Sequence, residues 1–175
     1  MKSDPIWSTP EDHLRKVLPD TAQLYVCPAE VQQAARRFQA GFPGLVSYAV
    51  KANPAPVVLG NLVAAGLRAF DVASIPEMQA VRDVCPEAVL HYNNPVRSRS
   101  EVAQAAAFGI ASASVDCAGE LDKLGALPHG TEVAVRLKLP IKGAAYDFGA
   151  KFGAGPDEAV VLLGQGAAMG VTPAM

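Results

Sequence analysis

Short apolar runs with strand character recur along this chain, and each is followed by an amphipathic stretch at helical spacing. Leu45 to Val50 is the first run, and after Pro54 comes a stripe of Val58, Leu59, Leu62 and Val63 closed by Gly66. Arg68 to Val72 is the second, with Met78 and Val81 on one helical face after Pro76. Ala88 to Tyr92 is the third, followed by Val102, Ala105, Ala106 and Phe108. Ala113 to Val115 is a short fourth, with a brief helix through Leu121 and Leu124. Thr131 to Leu139 is the fifth, and its Val133, Val135, Leu137 pattern suits a buried parallel strand. A last helix spans about Pro156 to Ala168. Strand and helix in alternation imply a parallel sheet covered by helices. Spacing leaves two architectures open, an open doubly wound sheet and a (β/α)8 barrel.

The common nucleotide-binding versions lose support here. No Gly-x-Gly-x-x-Gly follows the first strand, and no Gly-x-x-x-x-Gly-Lys-Ser/Thr occurs. Gly149 to Gly155 is glycine-rich without either spacing and reads as a flexible loop. Upstream, Gln23 to Cys27 reads as an isolated strand of another sheet, before a helix from Pro28 carrying Val31, Ala34, Ala35 and Phe38.

The chain has 175 residues, 50% of them apolar, enough to bury the core of an ordinary domain. With 15 basic and 17 acidic residues and no like-charge run, it lacks a nucleic-acid or membrane surface signature. Cys27, Cys85 and Cys117 are too widely spaced for a paired metal site and read as reduced, mostly buried thiols of a cytosolic protein. Met1 to Asp12 carries charges and a proline where a signal peptide needs an apolar stretch. No run approaches the roughly 20 apolar residues of a membrane span. The expectation is a cytoplasmic protein.

Polar residues gather at the C-terminal ends of the runs: Lys51, Asp71, His91 with Asn93, Asp116, and Arg136 with Lys138. In a βα barrel these positions converge on one mouth, where such enzymes place their chemistry. Each alone is also what a strand end meets at the solvent boundary. Lys51 closes an apolar run before a helix, a position from which an amine can attack a carbonyl. Arg136 lies within an apolar alternation, and a buried guanidinium needs an anion. Asp71 or an anionic ligand would meet that need. Two kinds of Schiff-base enzyme fit, a lysine aldolase and a pyridoxal phosphate enzyme, and spacing does not choose between them.

The motifs do choose. Tyr48-Ala49-Val50-Lys51-Ala52-Asn53 is followed by Phe70-Asp71-Val72-Ala73-Ser74 with Glu77, then by His91-Tyr92-Asn93-Asn94-Pro95-Val96-Arg97-Ser98. Next come Ser114-Val115-Asp116 with Glu120-Leu121, then Val135-Arg136-Leu137, then Lys151-Phe152-Gly153. In this order the set resembles the barrel-type (fold type III) pyridoxal phosphate-dependent amino-acid decarboxylases, which act on ornithine, lysine, arginine or diaminopimelate. The resemblance implies that Lys51 carries pyridoxal phosphate as a Schiff base. It implies that Asp71 and Arg136 lie close to the cofactor, and that Lys151 lies near the interface of a head-to-tail homodimer. Asn94-Pro95-Val96-Arg97-Ser98 resembles the ornithine decarboxylase branch, so ornithine is the first expected substrate and lysine the second, with diaminopimelate as an alternative.

The resemblance also implies elements not found here. They are a His-Val-Gly-Ser segment, the glycine-rich and Glu-Pro-Gly-Arg segments that hold the cofactor, and a C-terminal β-domain. The chain therefore reads as an N-terminal fragment holding about five of eight barrel strands. Residues 1–30 would carry a strand of the second domain and residues 31–175 the incomplete barrel. Its unpaired edge and an apolar lumen face would be aggregation liabilities, and alone it would be inactive. Two other classes fit less well: a small pyridoxal phosphate-binding homeostasis protein, and a non-catalytic regulatory homologue of the antizyme-inhibitor kind.

Overall fold

The computed structural model describes residues 5–138 and 152–174. Six strands form one sheet, paired throughout in parallel: β1 (Ser47–Ala49), β2 (Ala69–Val72), β3 (Val89–Tyr92), β4 (Ser112–Val115), β5 (Glu132–Val135) and β6 (Thr172–Ala174). Between and before them lie α1 (Pro10–Val17), α2 (Pro28–Gly41), α3 (Pro56–Ala64), α4 (Ile75–Val84), α5 (Arg99–Ala107), α6 (Ala118–Leu121) and α7 (Pro156–Ala168). A 3-10 turn, Val50–Ala52, follows β1, and a second, Asp122–Ala126, extends α6.

The spatial order of the strands is their chain order. A doubly wound sheet must reverse its order to put helices on both faces. Here each crossover steps to the next strand in the same sense. The helices accordingly form one layer, in which α2 packs on α3, α3 on α4, α4 on α5, and α6 on α7. This is an arc of a βα barrel with its helices outside.

Strand parity separates two faces. Phe70, Val72, Leu90, Tyr92, Ala113, Val115 and Val133 point to the helix side and are almost wholly buried. With Leu59, Met78, Val81, Val102, Leu121 and Leu162 they make the core. Each large side chain so buried contributes about 1.5–3 kcal/mol. The opposite, lumen face carries Ala49, Asp71, His91, Ser112, Glu132 and Thr172 in one register row. The expected apolar lumen is therefore a correction: the apolar surface of these strands goes to the helices, and the lumen row is polar.

Other expectations also change. The sheet has six strands rather than five, because Thr172–Ala174 pairs with β5 in a stretch too short to give a periodic signal. Gln23 to Cys27 pairs with no strand among the described residues. It runs exposed into α2, with Leu24 88% accessible, and its expected place is in another sheet. The fifth strand closes at Val135, and Leu137 makes only an isolated bridge to Ala154. Helix α1 was not expected, although its signals are present: Thr9 Oγ1 accepts from Asp12 N at 3.2 Å, and Pro10 occupies the first turn. Gly66, at φ 96°, turns the chain out of α3 toward β2, a conformation that L side chains avoid.

Candidate active site

Lys51 sits on the 3-10 turn immediately beyond β1, with its side chain in solvent and Val50 beneath it fully buried. Asn53 pins this turn. Its backbone N–H donates to Val50 O at 3.1 Å, its Oδ1 accepts from Ala55 N at 3.0 Å, and its carbonyl accepts from the Tyr48 hydroxyl at 3.4 Å. Burial raises the Tyr48 phenol above its ordinary value, so it remains a donor. The Lys-Ala-Asn-Pro sequence thus makes a stiff pedestal: Asn53 closes the turn, Pro54 follows it, and Pro56 opens α3. Lys51 is exposed rather than enclosed by its strand.

Asp71 lies in the middle row of the lumen, half-buried, with Ala49 and His91 as register partners. Beyond it the loop is cross-tied. Ala73 N donates to Glu77 Oε2 at 2.8 Å, and Asn94 Nδ2 donates to Ala73 O at 3.3 Å. Two residues of the recognised motifs therefore act through backbone, holding the ends of β2 and β3 together.

Arg136 follows β5 and is half-buried. Its backbone N donates to Val115 O at 2.8 Å, and its guanidinium lies over the Phe152 ring at 5.5 Å. The anticipated pairing with Asp71 is absent among the described residues, since β2 and the end of β5 are separated by two intervening strands. Phe152-Gly153 is held here because Gly153 N donates to Asp116 Oδ2 at 3.2 Å and Ala154 N to Arg136 O at 2.9 Å. Gly153 has φ 124°, and a Cβ there would stand 3.0 Å from the Lys138 backbone N. Only glycine fits. Lys138 and Asn93 are exposed, and Lys151 lies outside the described residues.

Two features escaped sequence reasoning. Arg97 is 4% exposed, stacks on the Tyr92 ring at 4.8 Å and donates through Nη2 to Ser114 O. Beyond Tyr92 the β3–β4 ladder stops, so this guanidinium takes the carbonyl that a strand would have taken. Glu120 accepts from Arg97 N at 3.3 Å, while Lys123 bonds both Glu120 and the Arg97 carbonyl. Burial lowers the Arg97 guanidinium from its ordinary value. The second feature is a contact between His91 Nδ1 and Ser112 Oγ at 2.7 Å. Lateral register across β3 and β4 creates that contact, and a linear sequence does not show register.

A parallel arc with its helices outside, a pinned, exposed lysine at its C-terminal mouth and a carboxylate in the row below defines a class, the βα-barrel proteins. The comparisons make this particular. Residues 28–171 match the family model of the pyridoxal-dependent decarboxylases over their pyridoxal-binding domain, and the chain belongs to that family. It is 35% identical over 119 residues to the lysine/ornithine decarboxylase of Selenomonas ruminantium, covering 67% of this chain and 30% of that one. A crystal structure of a mutant of SrLDC in complex with PLP superimposes with a TM-score of 0.80 at 26% identity, covering 95% of this chain and 44% of that one. The arginine decarboxylase of Paramecium bursaria Chlorella virus bound to agmatine gives a TM-score of 0.73 at 25% identity, with coverages of 82% and 40%. The chain thus spans less than half the length of each of these relatives. Among the described residues, no helix is long and apolar enough to cross a membrane.

Proposed function

We propose that the protein to which this chain belongs is a pyridoxal phosphate-dependent decarboxylase of basic amino acids, with ornithine the first substrate and lysine the second. The observation that carries this is the Lys51 pedestal: a primary amine presented at the C-terminal mouth by a turn locked through Asn53 on three sides. The residues present fit the cofactor. Lys51 offers the amine for its aldehyde, and Asp71 and Arg136 offer opposite charges within the same mouth. When bound, pyridoxal phosphate draws electrons away from the substrate α-carbon so that carbon dioxide can leave. Lys51 would hold it covalently, Asp71 would set the charge beneath it, and Arg136 would be held against Phe152 at the rim.

The named substrates of the relatives, lysine, ornithine and arginine, share a cationic distal group and support the basic class. Asn94-Pro95-Val96-Arg97-Ser98 favours ornithine within it. A homodimer, with residues 1–30 serving a second domain, and a cytoplasmic location complete the proposal. The test is borohydride reduction of the complete protein with its cofactor, followed by peptide mapping. Label on Lys51 is the expected result. Label on Lys138 or Lys151 would overturn the assignment.

A further inference from the structure

One row of lumen side chains, apart from Asp71, has no part in the chemistry above. Register carries Asp71 to His91 to Ser112 to Glu132 to Thr172, so five successive strands each put a polar residue in one layer. Such layers are ordinarily filled by Val, Ile and Leu. His91 stands between a carboxylate on one side and a hydroxyl on the other. Its Nδ1 lies 2.7 Å from Ser112 Oγ, and its Nε2 is buried with no partner among the described residues.

The two ring nitrogens are coupled. If Ser112 donates to Nδ1, the neutral ring carries its hydrogen on Nε2; if the ring donates from Nδ1, then Nε2 is an acceptor. The neighbouring side chain across β2 is Asp71, an acceptor, on a strand roughly 4.8 Å away. An ionised carboxylate matches Nε2–H and repels a bare Nε2. The other groups that face this part of the lumen are Lys51 from the end of β1, Ser114 from β4, and Glu132 and Arg136 from β5 and its end. Of these, only Ser114 has a buried hydroxyl without a partner. The helices pack on the opposite face and bring no charge to this row.

We propose that Ser112, His91 and Asp71 form one hydrogen-bonded chain across β4, β3 and β2, in which His91 is a positioning residue that aims the Asp71 carboxylate. Ser112 donates to Nδ1, and Nε2–H reaches the Asp71 carboxylate through one ordered water. The consequence for turnover rests on the decarboxylase reading; the chain of hydrogen bonds does not.

Two measurements on the complete protein separate these. Two-bond proton–nitrogen NMR of the cofactor-free protein reads the His91 tautomer. The Nε2–H form is expected, and it should be lost in Asp71→Ala. An Nδ1–H ring in the unsubstituted protein overturns the inference whatever the enzyme does. In the cofactor-loaded protein, His91→Gln keeps a donor at the place of Nε2, whereas His91→Asn keeps one only at the place of Nδ1. The Gln variant should retain most of kcat. The Asn variant should lose about tenfold to a hundredfold, the equivalent of one hydrogen bond to a charged group, with little change in KM. Equal losses in both variants would mean that His91 only fills space. If no basic amino acid is turned over, yet the tautomer is Nε2–H and depends on Asp71, the chain stands and the decarboxylase reading falls.

Discussion

Lys51 could be found in the sequence, but its setting could not. Apolar periodicity marked the strand, and the Lys-Ala-Asn motif marked the lysine; the turn that lifts the amine into solvent depends on Asn53 bonds that no linear pattern displays. Arg97 shows the opposite case, since nothing in the string Asn-Asn-Pro-Val-Arg-Ser says that this arginine is buried. Replacing it with Met would leave the Ser114 carbonyl unpaired and remove the guanidinium from the Tyr92 ring, while the backbone N–H that Glu120 accepts from stays in place. A loss of about 2–3 kcal/mol is expected, read as a lower urea midpoint at unchanged slope, and an unaltered midpoint would show the network to be slack. The thiols offer a simpler check. Cys85 is buried, and burial together with Glu87 raises its thiol above the ordinary value. Cys27 and Cys117 are exposed, which corrects the expectation of mostly buried thiols: neither lies on a face that packs into the core. An aromatic disulfide reagent should therefore titrate two thiols in the native protein and the third only after denaturation; three rapid thiols would contradict the packing.

Helix α5 shows how an element can be specified by its first turn. Ser98 Oγ accepts from Glu101 N at 3.1 Å and Glu101 Oε2 accepts from Ser98 N at 2.7 Å, a reciprocal capping box. Ser98→Ala should cost about 1 kcal/mol. The backbone N–H of Ser98 holds the Glu101 carboxyl below its ordinary value. A group depressed in the folded state stabilises above its unfolded value, about 4.3 for glutamate, and that stabilisation fades as pH falls through the folded value. The stability gap between the parent and Glu101→Gln should thus be present at pH 7 and shrink in acid, as thermal melts across pH can show. A gap that widens in acid would refute the linkage. Helices α2 to α5 and α7 were readable because each has an apolar stripe to bury. Helix α1 has no buried residue, so its caps were the sole signal. The stretch Gln23 to Cys27 has strand residue types and pairs with no strand among the described residues, whereas β6 has a partner but too few residues to announce itself.

At the scale of the molecule, alternation alone left two folds open, and strand order decided between them. The lumen was misjudged for a related reason. Parity along one strand separates two faces without saying which meets the helices, and the answer came from which set is buried. Phe70→Ala, on the helix side, should lose about 3–5 kcal/mol, whereas Ser112→Ala on the lumen side should cost far less; comparable losses would show the two faces to be wrongly assigned. The isolated 175-residue polypeptide should release no carbon dioxide from ornithine, because it spans less than half of each solved relative; measurable release would sink that expectation. One consequence of the single helix layer remains. Helices α2 to α5 pack in succession, as does α7 on α6, and each strand pairs with the one made just before it, so contacts between elements mostly join neighbouring strand–helix units. Such a chain can assemble in the order in which it is synthesised, each new strand–helix unit finding its template already in place. The arc would then grow from β1 like a staircase laid one step at a time, with β2 to β4 acquiring hydrogen-exchange protection before β5 and β6.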